Sequence, residues 1–297
     1  MSIKCAALNK SNGKNCNINV INGTYCNKHI NYIKTEKYGT NGITITFGNQ
    51  AENHKGMQII GKSLDKGYTL DNFLEIIKKC NQKGIVTELV DLKIGIKDLP
   101  EYQTSSDAYV LILRNGVSKI LDINNSNEDN LYNEHINLNW DSKAFMYGRV
   151  VDKNARHNLC YDNVSQEPNY EAGKGRIISF EDIPLTKNIR SKLLEYFGEK
   201  AKDLVAEGNL YYNINYNGIG YHGDSERKIV IAIRLGNKFP LRYQWYINSN
   251  PIGNYIDIDL KANDIYIMSD KAVGYDWKKK NISTLRHAAG CDKFIKL

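Results

Sequence analysis

The sequence predicts an α+β protein that is mainly β: a strand-built sandwich or barrel with one flanking helix, preceded by a small α/β domain and a metal-stapled N-terminus. Three observations predict it. From about residue 141 onward, short alternating runs rich in Tyr, Ile and Val recur between Gly, Asn and Asp, and period-2 alternation bounded by turn formers marks strands. One stretch there, "SFEDIPLTKNIRSKLLEYFGEKAKDLV", has helical periodicity with a proline near its start, a residue that the first helical turn tolerates. Three of the six cysteines fall within residues 5 to 26, in a segment too polar to bury a core of its own.

At 297 residues the chain is long enough for one large domain or two ordinary ones. A hydrophobic content of 41% argues against general disorder. The formal charge of +7 favours a polyanionic partner, nucleic acid before others, by nonspecific attraction. The basic residues are dispersed, so a merely soluble basic surface is the competing reading. No run reaches the about 18 to 20 apolar residues of a membrane span, and "MSIKCAALNK" lacks the apolar centre of a secretory signal. The expected location is intracellular, in cytoplasm or nucleus, where cysteines serve as metal ligands or free thiols before they form disulfides.

In chain order, residues 1–35 supply Cys5, Cys16, Cys26 and His29. Three thiolates and one imidazole make a tetrahedral structural zinc site whose binding energy would fold so polar a segment. A basic tail with incidental cysteines is the alternative, and His54 is a weaker ligand candidate. Over 36–125, the strand-like "GITITFGNQ" is followed by "TLDNFLEIIKKCNQKG", helical with a Thr start and a Gly stop. The strand-like "IVTELVDL" and "AYVLILRNGVSKIL" come next, the latter with an Asn-Gly turn signal. Together they read as a small α/β domain of unassigned role. The asparagine-rich residues 126–140 read as a linker, and 141–297 as the strand domain.

Within that last domain, "YHGDSERK" sets His222 and Asp224 one residue apart, just before the strand-like "IVIAIRLG". Side chains at i and i+2 of an extended segment share a face. A non-haem Fe(II) centre needs two imidazoles and one carboxylate on one side of the metal. Only one histidine follows in the remaining chain, His287 in "STLRHAAG", and it completes the set if its strand folds back beside the first. The bland alternative is a His and an Asp exposed at a turn, with an unrelated core histidine.

The ordered series "NLYYNINYNGIGYHGDSERK", "IAIRLG", "LKANDIYIMSD" and "LRHAAG" resembles the AlkB-like branch of the Fe(II)/2-oxoglutarate-dependent dioxygenases, of the kind carried by large DNA viruses. The likeness covers residues 141–297. It implies a double-stranded β-helix, or jelly roll, as catalytic domain, with His222, Asp224 and His287 holding Fe(II) and with 2-oxoglutarate and O2 as co-substrates. In that family a tyrosine ahead of the H-x-D contacts 2-oxoglutarate, which falls on Tyr212, and an acidic residue after the aspartate falls on Glu226. The chain departs from the family in two places. An asparagine usually stands two residues before that tyrosine, where this chain has Leu210, and an arginine pair usually ends the last strand, where this chain has "DKFIKL". The far carboxylate of 2-oxoglutarate still requires a cation, since a buried unpaired charge costs several kcal/mol. Lys296 is the first choice, with Lys293, Arg286 and Arg234 as substitutes.

The implied chemistry couples decarboxylation of 2-oxoglutarate to hydroxylation of a C–H bond, and on an N-methyl group the hydroxylated product releases formaldehyde. The family's substrate lid corresponds to "KAFMYGRVVDKNARHNLCYD". There Tyr147, Arg149, Arg156 and His157 offer the aromatic and cationic groups that an extruded base requires, although an ordinary basic hairpin has the same composition. Glu226 and Arg227, beside the metal motif, are further substrate-binding candidates, and "WKKK" at 277–280 offers a phosphate-facing patch or a solvated loop. A nucleic-acid base is the favoured substrate. A protein side-chain hydroxylase and a catalytically inactive, zinc-containing nucleic-acid-binding protein are the rival readings.

Overall fold

The structure, a computed structural model, describes residues 3–4, 18–20, 38–122 and 129–297. It forms two compact units, residues 1–39 and 40–297. In the first, β1 (Ile3–Lys4) pairs antiparallel with β2 (Asn19–Val20). The proposed zinc ligands Cys5, Cys16, Cys26 and His29 lie outside the described residues.

The strands of the second unit are, in chain order, β3 (Gly42–Gly48), β4 (Gln50–Glu52), β5 (Ile59–Gly61), β6 (Thr87–Asp91), β7 (Tyr109–Leu113), β8 (Lys143–Met146), β9 (Arg149–Asp152), β10 (His157–Asp162), β11 (Ile177–Ser179), β12 (Val205–Tyr211), β13 (Gly218–His222), β14 (Ile231–Gly236), β15 (Leu241–Ile247), β16 (Asn250–Ile258), β17 (Ile265–Met268) and β18 (Thr284–Gly290). An eight-stranded mixed sheet has the order β11-β10-β12-β3-β14-β17-β7-β6, and a four-stranded sheet the order β13-β18-β15-β16. Its helices are α1 (Leu70–Gln82), α2 (Glu101–Thr104), α3 (Gly116–Leu121), α4 (Asn130–Ile136), α5 (Pro184–Phe197), α6 (Asp270–Val273) and α7 (Asp292–Ile295). The fold is therefore mostly β with some helices, as the alternating runs predict, and no helix among the described residues is long and apolar enough to cross a membrane.

The main core lies between the two sheets. Val110, Ile112, Val230, Ala232 and Tyr266 contribute from the large sheet, and Leu241, Tyr243, Trp245, Leu285 and Ala289 from the small one. Trp245, fully buried, donates its indole N–H to the Leu92 carbonyl at 2.8 Å, which satisfies the one polar atom that so large an aromatic brings inside. The two long helices follow their sequence signals. Thr69 caps α1 in a reciprocal box with Asn72, while Pro184 opens α5 and Gly198, at φ +80, closes it.

The separate α/β domain expected over 36–125 does not exist as such. Strand β3 lies between β12 and β14 at the centre of the large sheet, and β7 pairs with β17. All seven residues of "GITITFG" are buried, and a strand buried on both faces requires a neighbour along each edge and cover on each side. The partners come from far along the chain. The 126–140 linker is also absent over its described part, because α4 buries Leu131, Tyr132 and His135. Nor does the Asn-Gly pair make a hairpin. Asn115 takes a left-handed φ of 50 and leads into α3.

A fragment beginning at residue 141 lacks β3, β6 and β7 and is expected to give no cooperative unfolding transition by circular dichroism, whereas one spanning 38–297 retains it. In the full chain, Phe47→Ala at the centre of β3 is expected to cost about 3–5 kcal/mol in urea denaturation.

Candidate metal centre

His222 ends β13 and His287 lies in β18, where the two are directly opposite in the antiparallel register. Their rings are 4.5 Å apart. Asp224 follows in the loop, its backbone N–H donating to the Val273 carbonyl at 3.0 Å. Between them, Gly223 meets Gly274 so closely that an added Cβ would lie 2.1 Å from the Gly274 oxygen, so only glycine allows this approach. The Asp224 Oδ1 is 3.6 Å from His222 Nε2 and 3.8 Å from His287 Nε2. Those distances are too long for hydrogen bonds, yet one ligand atom from each residue lies within 4.8 Å of the others, as three donors around one ion require.

His222 Nδ1 lies 2.8 Å from the Gly220 carbonyl, and donation of an Nδ1–H there leaves the Nε2 lone pair for a metal. Burial lowers the pKa of His222 against the opposing pull of Asp224. It lowers that of His287 further, with His222 and Arg227 adding to it. Both shifts favour the neutral imidazole, the state that ligates.

The cluster opens on a cavity of about 540 Å³ whose wall includes Thr44 and Thr46 of β3, Glu207, Asn209 and Tyr211 of β12, and Arg234 of β14. Alternation along each strand selects these residues, and the intervening Ile43, Ile45 and Phe47 are fully buried. Arg227 is 4% exposed. Its Nε donates to Glu226 at 2.8 Å, its Nη2 donates to Glu207, and its Nε lies 3.7 Å from Asp224 Oδ2. Arg234 is 1% exposed. Its guanidinium lies over the Phe239 ring at 3.6 Å, but its Nε and Nη1 have no hydrogen-bond partner among the described residues. A buried cation without an anion is costly, and this one borders the same cavity as the His-Asp-His cluster.

Of the residues singled out from sequence, the structure brings His222, Asp224, His287, Arg156, Glu226, Arg227, Arg234 and also His54 to this cavity. Arg156 donates to Asn209 Oδ1 at 2.6 Å, and Arg227 is committed to carboxylates of the protein. Tyr212 does not reach the cavity, because it lies just past the end of β12, donates to the Asn154 carbonyl and packs on His157. The tyrosine on the wall is Tyr211, since one step along a strand reverses the face. Lys296 is exposed at the end of α7. Arg286 alternates with His287 on β18 and instead lies over Tyr246 at 4.0 Å and donates to the Trp277 carbonyl. Lys293 lies beside Phe294. Tyr147, 90% exposed, and the exposed Arg149 sit at the turn of the β8–β9 hairpin and line no part of the cavity. Sequence reasoning missed Glu52, Asn53, Lys55 and Trp277 as wall residues; only the basic-aromatic "WKKK" gave any signal.

Glu52 has its pKa pushed up to about 7, by burial first and then by Glu226 and Glu207, against the Gly56 N–H and Arg227. A carboxyl that holds its proton more tightly folded than unfolded stabilises the fold below its ordinary value and loses that contribution as pH rises toward 7. Glu52→Gln is therefore expected to raise Tm more at about pH 8 than at about pH 5, as calorimetry of the two proteins at both pH values would show.

Fold and site define a β-rich protein with a two-histidine, one-carboxylate cluster on a cavity wall. The sequence is 53% identical over 254 residues to the uncharacterized protein R156 of Acanthamoeba polyphaga mimivirus, a match spanning 86% of this chain and 97% of that protein. The chain belongs to the same family as that viral protein. No known protein-family profile matches it.

Proposed function

We propose that the protein is an Fe(II)- and 2-oxoglutarate-dependent dioxygenase of the AlkB-like kind, acting on a nucleic-acid base inside the infected cell, with the two sheets forming its jelly roll. The observation that carries this reading is the buried Arg234, whose Nε and Nη1 have no hydrogen-bond partner among the described residues, on the wall of the cavity that holds the His-Asp-His cluster. A metal cluster of this donor set together with an orphaned guanidinium suits a co-substrate that chelates at one end and carries a carboxylate at the other.

His222, Asp224 and His287 would hold the iron, and Arg234, rather than Lys296 or Arg286, would meet the far carboxylate of 2-oxoglutarate. Iron and 2-oxoglutarate supply oxidation of a nearby C–H bond by O2, with succinate and carbon dioxide as co-products. The chain's own residues orient the site. The Gly220 carbonyl accepts from His222 Nδ1 and so fixes its tautomer, and Arg227, 3.7 Å from Asp224 Oδ2, holds that carboxylate in position. Tyr211 on the wall also removes a departure from the family, because Asn209 stands two residues before it. Arg156, Lys55, Lys278 and Trp277 at the cavity supply the cationic and aromatic groups that a nucleic-acid substrate needs.

Iron-loaded protein under air is expected to convert 2-oxoglutarate to succinate, and His222→Ala or Asp224→Ala to abolish the conversion. Arg234→Ala should raise KM for 2-oxoglutarate by about tenfold or more, the loss of one charged hydrogen-bonding partner, while Lys296→Ala leaves it unchanged. Absence of succinate from iron-bound protein under any condition overturns the reading in favour of a binding protein.

A further inference from the structure

A second cavity, of about 560 Å³, lies at the end of the large sheet where β7 begins and β17 gives way to α6. Its wall carries both charges in equal number, Lys228, Lys271 and Lys279 against Asp107, Asp270 and Asp276. Most of these are engaged within the protein. Lys271 donates to Asp276 Oδ2 at 2.8 Å and to the Ser283 carbonyl at 2.7 Å. Lys228 is 3.3 Å from Asp270 and lies over the Tyr275 ring at 3.9 Å, and Asp107 has Lys93 at 3.1 Å. Two groups are left over. Lys279 is exposed and has no carboxylate partner among the described residues, and Asp276 Oδ1 is buried with no hydrogen-bond partner among them. These two share one turn of chain, in which the Lys279 N–H donates to the Asp276 carbonyl at 2.9 Å.

The same segment backs onto the metal loop. The Val273 carbonyl holds the Asp224 N–H, Gly274 packs against Gly223, and Trp277, next to Asp276, donates its indole N–H to Ser225 Oγ at 2.9 Å. On the cavity side, Ser269 Oγ accepts the Tyr109 N–H at 2.9 Å and the Asp270 N–H donates to the Tyr68 carbonyl at 2.9 Å. Residues 269–277 therefore stand between the second cavity and Asp224.

We propose that this second cavity binds a free α-amino acid with an apolar side chain, and that its occupancy strengthens metal binding at His222, Asp224 and His287. An ammonium supplies the donor that Asp276 lacks, and a buried acceptor left without one is costly. The α-carboxylate supplies the anion for Lys279. A ligand of either charge alone leaves the other group unmet, whereas the two charges of an α-amino acid, one carbon apart, suit groups on a single turn. Its side chain then lies against Tyr275 and Tyr109, whose rings offer apolar area. A ligand bridging this turn fixes the segment that holds Asp224, so it carries an ordering cost that the metal would otherwise bear, and the coupling is reciprocal. The inference uses the metal cluster and not the dioxygenase reading.

The test is calorimetric titration of the metal-free full chain with L-phenylalanine, with phenethylamine and 3-phenylpropionate, which each lack one of its charges, and with inorganic phosphate. L-Phenylalanine is expected to bind about tenfold more tightly than any of the others. Lys279→Met, at an exposed position, should weaken L-phenylalanine about tenfold and leave phenethylamine unchanged, while Asp276→Asn should weaken L-phenylalanine and leave 3-phenylpropionate unchanged. Saturating L-phenylalanine should then tighten Mn(II) binding about threefold, and Mn(II) should tighten L-phenylalanine by the same factor, an effect that His222→Ala removes. L-Phenylalanine that binds no more tightly than phosphate or the single-charge analogues, or that is indifferent to Lys279→Met, overturns the site. Mn(II) affinity that is absent, or unchanged by L-phenylalanine, overturns the coupling. Neither arm involves 2-oxoglutarate, so failure here and failure of the dioxygenase reading are separate results.

Discussion

The buried guanidinium of Arg227 holds the site together. It bonds Glu207 on β12 of the large sheet and Glu226 in the loop after β13 of the small sheet, with Asp224 within 3.7 Å. Removing a charged group from water costs several kcal/mol unless its partners are in place. Two sheets that shared only apolar contacts would have many acceptable offsets; two sheets that share a buried cation have few. The carboxylate in the metal cluster inherits its position from that constraint. So does the proton affinity of Glu52, because Glu226 and Glu207 raise it and Arg227 lowers it, one cation serving more carboxylates than it can neutralise.

The sequence made the strand-rich class legible because alternation is a local property, and it made His222 with Asp224 legible because their spacing is local too. His287 was reachable by scarcity, no other histidine following. The cation for the far carboxylate was reachable only as one of several candidates, with Arg234 named as a substitute behind Lys296. Lys296 and Arg286 are near His287 in sequence, but which basic residue enters the cavity depends on the facing of two strands in different sheets. Arg234 faces inward with Ala232 by alternation along β14, in step with Val230 just before the strand. Tyr212 failed for the same reason at the scale of one residue. Glu52 carries no motif at all and Trp277 only the basic-aromatic "WKKK", and only the tertiary fold shows that they border one cavity.

The domain boundary failed for a different reason. "GITITFG" shows alternation, which suggests a strand with one wet face, yet in the fold its threonines face the cavity and its aliphatic residues the opposite core. A cavity wall and a solvent face impose the same pattern on a strand. No property of the 36–125 segment read alone distinguishes a central strand of a distant sheet from a member of its own small sheet, because the partners that decide the matter lie at 205–211 and 231–236.

That placement joins stability to recognition. The wall loop follows directly from β3, the central strand, through Asn49. The side chain of Asn49 accepts the backbone N–H groups of Lys228 and Ile229 at 2.8 and 2.9 Å and donates to the Lys62 carbonyl at 2.9 Å. Across the turn, Gly61 at φ +85 comes so near Asn49 that a Cβ there would lie 2.3 Å from its carbonyl oxygen, and no larger residue fits. One buried amide therefore ties the chain that ends the metal loop to both ends of the hairpin carrying Glu52. The wall is held to the metal loop by hydrogen bonds from backbone N–H groups to one side-chain amide rather than by a hinge, so its groups are positioned before any occupant arrives, and little ordering cost falls on binding.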